Sequence, residues 1–151
     1  MDWNLITAIA TVIGVVGGIV SVGFLVFEVR HNTHAIEGAT VQSLMSLERD
    51  VFALLADNAE LFLRGCETIE DLTREERFRF DRVVGAQMSL IYSAFVQHGE
   101  GLMDDEIWEA YLNAVGRYMV FPGFAESWGV LKPAYPRSFR AAIGRRFPEA
   151  G

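Results

Sequence analysis

The sequence predicts an all-α protein, with one N-terminal transmembrane helix continuing into a small cytoplasmic helical bundle. Three observations predict it. Leu5 to Phe27 runs for 23 residues without a formal charge. Beyond it, apolar residues recur at helical three-and-four spacing, as in Phe80, Val84, Met88 and Ile91. No alternating period-two run and no internal repeat breaks that pattern. The 151 residues, 51% hydrophobic and 22% charged, suit one compact core and exclude a disordered chain. Residues 1–30 are expected to form the anchor, and residues 31–151 a helical soluble domain with a long stalk helix.

The first element is the apolar run LITAIATVIGVVGGIVSVGFLVF. As a helix it reaches about 34 Å at ~1.5 Å per residue, against a hydrocarbon core of about 30 Å. A buried helix of a soluble protein would carry a polar stripe, and this run has none. A cleaved signal peptide needs a basic start, a shorter apolar core and a small-residue cleavage site. Met1-Asp2-Trp3-Asn4 carries an acid instead, and Phe24 to Phe27 offers no A-x-A pattern. Trp3 is placed where an interfacial aromatic belongs. Arg30, His31 and His34 follow the run, so the positive-inside rule puts the carboxyl side in the cytoplasm. The expected location is the inner, cytoplasmic membrane, spanned once, with the N-terminus outside. Ala10, Gly14 and Gly18 recur every fourth residue, with Thr7, Gly17 and Ser21 near the same face. Such a small-residue stripe lets another membrane helix approach closely. Glycine enrichment is also ordinary in membrane helices, and the continuity of the stripe tips the reading toward a partner helix.

The stalk comes next. Leu44, Leu47, Val51 and Leu54 make an a/d-like seam, too short for a coiled coil and suited to a core face. Asp57-Asn58 reads as a turn and cap for a short helix from Ala59 to Arg64. Thr73-Arg74-Glu75-Glu76 is a capping-box pattern that opens a helix to about Gln97. The apolar stripe of that helix is Phe80, Val84, Gln87/Met88, Ile91 and Phe95, and His98-Gly99-Glu100-Gly101 ends it. Asp104-Asp105-Glu106 opens the next helix, with acids at its positive end. Its apolar positions are Ile107, Trp108, Tyr111, Leu112, Val115 and Met119, and Pro122-Gly123 marks an end or kinked restart. A short helix follows from Phe124 to Leu131, and a last one from Ser138 to Arg146 after Pro133 and Pro136.

Candidate chemistry is sparse. A net charge of −7 argues against a nucleic-acid partner. The single Cys66 excludes an internal disulfide and a multi-cysteine zinc site, and agrees with a reducing compartment. His31 and His34 share a helix face with Glu28 and Glu37. A metal or haem ligand set is one reading of that face, and a solvated juxtamembrane turn is the favoured one. Glu67, Glu70, Asp71, Glu75 and Glu76 cluster at a helix start, where capping and the helix dipole explain them. No G-x-S-x-G, P-loop or dinucleotide fingerprint is present, so a non-enzymatic protein without a cofactor is expected. Arg30 sets depth by snorkelling to phosphates, and Asn32 and Thr33 are candidates for a polar lock between protomers.

Charge is uneven along the chain. Met1 to Leu131 holds 8 bases and 19 acids, whereas Lys132 to Gly151 holds 5 bases and 1 acid. Arg137, Arg140, Arg145 and Arg146 alternate with Phe139, Ile143 and Phe147. Such a helix can lie on anionic lipid, or dock its apolar residues into the domain with the arginines facing acidic helix starts. The second reading is favoured, because so small a domain needs every apolar face.

Several of these residues together resemble a family of short bacterial single-pass membrane proteins, a domain of unknown function. Its signature after the membrane helix is Q-I-R-x-N-T-like, matched by Glu28-Val29-Arg30-His31-Asn32-Thr33, with Ala35 and Gln42 in similar later places. Leu72-Thr73-Arg74-Glu75-Glu76, Gly101-Leu102-Met103-Asp104 through Trp108, Pro122-Gly123-Phe124 through Trp128, and Ser138-Phe139-Arg140 match its later segments. Glu28 departs from the glutamine of the pattern. The resemblance implies location and architecture and brings no catalytic residue. The expected function is an interaction or accessory subunit of a membrane assembly, either a homo-oligomer or a larger complex. The alternative is a membrane-tethered sensor binding a small apolar ligand among Phe80, Phe95, Trp108, Tyr111, Tyr118 and Trp128, although those aromatics read first as core.

Overall fold

The computed structural model describes residues 21–25, 27–28 and 42–148. Every regular element among them is helical, and none is a strand. The chain divides into two compact units, Met1–Ala39 and Thr40–Gly151. In the first, residues 21–25 and 27–28 are helical and exposed. The rest of the apolar run and the signature from Val29 to Thr33 lie outside the described residues. Among the described residues no helix is long and apolar enough to cross a membrane.

The second unit begins with α1, helical over residues 42–57, followed by α2 (Ala59–Glu67) and α3 (Arg74–Gly99). Then come α4 (Asp105–Met119), α5 (Pro122–Leu131), a 3-10 turn at Lys132–Ala134, and α6 (Arg137–Arg146). The capping box forms as its residues dictate. Thr73 Oγ1 accepts from the Glu76 N–H at 3.2 Å, and Glu76 Oε2 accepts from the Thr73 N–H at 2.9 Å. α3 ends in a turn through Gly101, whose φ of +72° is the only positive value among the described residues.

α3 is the central element. Phe80, Val84, Met88 and Ile91 are sealed from solvent. On α4 the buried positions are Trp108, Leu112, Val115 and Met119. Ile107, one residue off that line, is 42% exposed, a correction to the expected stripe. The α1 seam is corrected in the same way. Leu44 and Val51 are buried, but Leu54 is exposed and Leu55 packs inward instead. A straight helix drifts against a 3.5-residue repeat, so the seam moves one position within two heptads. Asn58 makes no side-chain cap, and its amide donates back to the Leu54 carbonyl at 2.9 Å.

Two glycines bring α2 and α5 into backbone contact. A Cβ at Gly123 would stand 1.8 Å from the Gly65 carbonyl oxygen, and one at Gly65 would stand 2.4 Å from the Phe80 ring. Beside this crossing Ser127, fully buried, donates to Asp81 Oδ1 at 2.6 Å, which ties α5 to α3. Arg77 reaches the same carboxylate oxygen at 3.3 Å and Glu126 at 3.4 Å.

α6 is held by side chains. Phe139 is sealed among the rings of Tyr92, Phe95, Trp128 and Tyr135, with centroids 5.2–6.0 Å away. Ile143 is buried beside it, and the ring of Phe147 sits where a side chain on Gly116 of α4 would have to stand.

Candidate functional site

The aromatic residues expected around a ligand are packed against one another. Phe80, Trp108 and Trp128 are buried, and Phe95 and Tyr118 are half-buried. Phe95 meets Trp108 at 5.8 Å, Tyr118 stacks on Phe124 at 5.7 Å, and Phe62 meets Phe80 at 5.9 Å. These rings are the core, as their first reading had it. Of the six, Tyr111 alone lines the cleft described next.

That cleft is a wide, open depression of about 380 Å³ between α1 and α4, lined by Glu48, Glu106, Ile107, Ala110, Tyr111 and Ala114. Its origin is local. Leu44 and Val51 of α1 pack on Leu90 of α3, with Tyr111 against the same cluster. On α4 the flank beside Tyr111 carries Ile107 and the small Ala110 and Ala114, so the two helices leave a groove with an apolar lining. Tyr111 donates to Glu48 Oε2 at 3.5 Å and so directs that carboxylate to the cleft. Burial, and then the charge of Glu48, pushes the Tyr111 hydroxyl above its ordinary pKa. Neither Glu48 nor Glu106 has a cationic partner among the described residues. The cleft is therefore an apolar trough with two uncompensated carboxylates at its sides.

α6 presents the opposite charge. With Phe139 and Ile143 buried, Arg137 and Arg145 are exposed, at positions i and i+8 on the outward side with exposed Ala141 between them. Arg146 donates to Asn113 of α4 at 2.8 Å. Arg140 is half-buried, and its Nε is enclosed without a hydrogen-bond partner. None of these four arginines forms an ion pair among the described residues. The acidic helix starts pair elsewhere: Glu75 with Arg79 at 2.7 Å, Glu76 with Arg64, and Asp105 with His98 at 2.7 Å.

Of the other sequence-derived positions, Trp3, Thr7, Ala10, Gly14, Gly17, Gly18, Arg30, His31, Asn32, Thr33, His34 and Glu37 lie outside the described residues. Ser21 and Glu28 are helical and exposed. No group of three or more His, Cys, Asp and Glu residues able to hold a metal occurs among the described residues. Cys66 is buried, and burial raises its thiol to a pKa of about 11. Sequence reasoning missed the cleft. The Ala110/Ala114 spacing was legible, but which helix would pass over it was not. The chain has no significant similarity to any family model, curated protein or solved structure.

Proposed function

We propose that this protein is a membrane-anchored helical module that acts as an interaction subunit of a membrane assembly. The observation that carries the reading is an apolar face of α1; large apolar side chains are also uncovered elsewhere, at Leu63, Phe78, Val120 and Val130. Met45 is 62% exposed and Phe52 is 53% exposed, seven residues apart and therefore on one face of α1. The interior aromatics, by contrast, are used up by ring-to-ring packing. An uncovered apolar face on the helix that follows the apolar run suits contact with another subunit. The anchor is Leu5 to Phe27, with Trp3 and Arg30 setting its depth and the stripe through Ala10, Gly14 and Gly18 packing on a partner helix.

Native mass spectrometry of the full chain, gently extracted from membranes, tests this reading. The expected mass is that of several subunits. Met45→Ser with Phe52→Ser lowers it, and Gly14→Ile with Gly18→Ile lowers it without preventing membrane insertion. A monomer overturns the proposal. A monomer with a few hundred extra daltons bound favours the small-ligand sensor instead.

A further inference from the structure

We infer that the chain associates with a second copy of itself, the outward ridge of α6 in one copy seating in the α1–α4 cleft of the next. The inference rests on the assembly reading above and names its partner. Three features of the two surfaces match. The first is charge: the cleft holds Glu48 and Glu106 without a cation, and the ridge holds Arg137 and Arg145 without an acid, among the described residues. The second is relief. Ala141 lies between the two arginines of the ridge, and Ala110 and Ala114 form the floor of the cleft. Small residues on both sides let the two helix surfaces approach closely. The third is side-chain chemistry. An arginine has an apolar stem and a charged planar end, and the cleft offers Ile107 beside its carboxylates for those two parts. Eight residues of helix set the Cα atoms of the two arginines about 12 Å apart along the ridge, at ~1.5 Å per residue.

The chain does not satisfy this pairing within one copy. Arg146 of α6 bonds to Asn113 of α4, which is not among the residues that line the cleft. The contact is heterologous, one surface meeting a different one, so it builds a ring or an open row of copies. Copies held in one orientation by a common membrane are suited to such head-to-tail contact.

Charge exchange in the full-length protein tests the inference, with native mass and a thermal melt recorded for each variant. Glu48→Lys with Glu106→Lys reverses the cleft, and Glu106→Lys alone serves if the double variant does not fold. Arg137→Glu with Arg145→Glu reverses the ridge. Each reversal is expected to weaken self-association by about tenfold or more. In an equimolar mixture of the two kinds of chain each wild-type ridge meets a wild-type cleft and each reversed ridge meets a reversed cleft, so an assembly of alternating chains is recovered. A chain with both surfaces reversed recovers the wild-type mass. Reversed chains that fold and keep their homo-oligomeric mass overturn the inference and leave the assembly reading standing. So does an assembly that contains one copy of this chain with other subunits. A wild-type monomer overturns both.

Discussion

Gly123 shows how one hydrogen atom in place of a methyl group determines a helix crossing. Its missing side chain lets α5 rest on the Gly65 carbonyl, and a Cβ 1.8 Å from that oxygen has no room, because the carbonyl belongs to the α2 backbone and cannot swing aside. Gly123→Ala is expected to cost about 3 kcal/mol and to lower the melting temperature by roughly 10–20 °C. Gly129→Ala, with open space around it, is the control and leaves the melt near wild type. Cys66 is expected to follow burial rather than reactivity. With its thiol pushed up to about 11 and enclosed beside Ile69 and Phe62, it should resist alkylation at neutral pH. Denaturant should expose it at the rate of unfolding, and fast labelling of the native chain would contradict the packing.

At the scale of the element, the start of α3 and the seating of α6 make separate predictions. The Thr73 N–H first, and then Arg64, hold the Glu76 carboxyl down to about 2 from an ordinary value of 4.5. A depressed folded pKa stabilises the charged, folded form. That contribution is complete above about 4.5 and is lost as pH falls toward about 2. The stability difference between wild type and Glu76→Gln, measured by denaturant titration, should therefore shrink across that window and stay flat above it. Thr73→Ala should cost about 1 kcal/mol at neutral pH, since the Glu76 N–H loses its acceptor. α6 depends on Phe139. Truncating this ring to Ala leaves a void among four aromatic neighbours, with a loss of about 3–5 kcal/mol by chemical denaturation. Helical content should fall with it if α6 detaches.

For the whole molecule, the division at Ala39 and Thr40 separates an apolar unit from a charged helical one. Residues 40–151 expressed alone are expected to fold with the helical signature of the second unit and to remain in the aqueous fraction. The full chain should sediment with membranes and resist extraction by high salt and alkali. An aqueous full chain would remove the anchor from the proposed function. Elevated salt should also loosen the paired surfaces of α6 and the cleft, because exposed charges are screened within about 10 Å at moderate ionic strength.

Local rules made much of this fold readable. The Thr73 capping box, the Gly101 turn, the Pro122 restart and the 3.6-residue stripe of α3 each act within a few residues. The charge contrast between the C-terminal segment and the rest of the chain is likewise a property of composition, visible before any folding. Tertiary packing decided what depends on a neighbour. It chose Leu55 over Leu54, exposed Ile107, and turned Asp81 toward Ser127 across 46 positions of sequence. It also made the cleft, since Ala110 and Ala114 are an unremarkable pair until α1 passes beside them with Glu48. Periodicity states which side of a helix is apolar, while the helix that covers that side, and how completely, follows from the simultaneous fit of all of them.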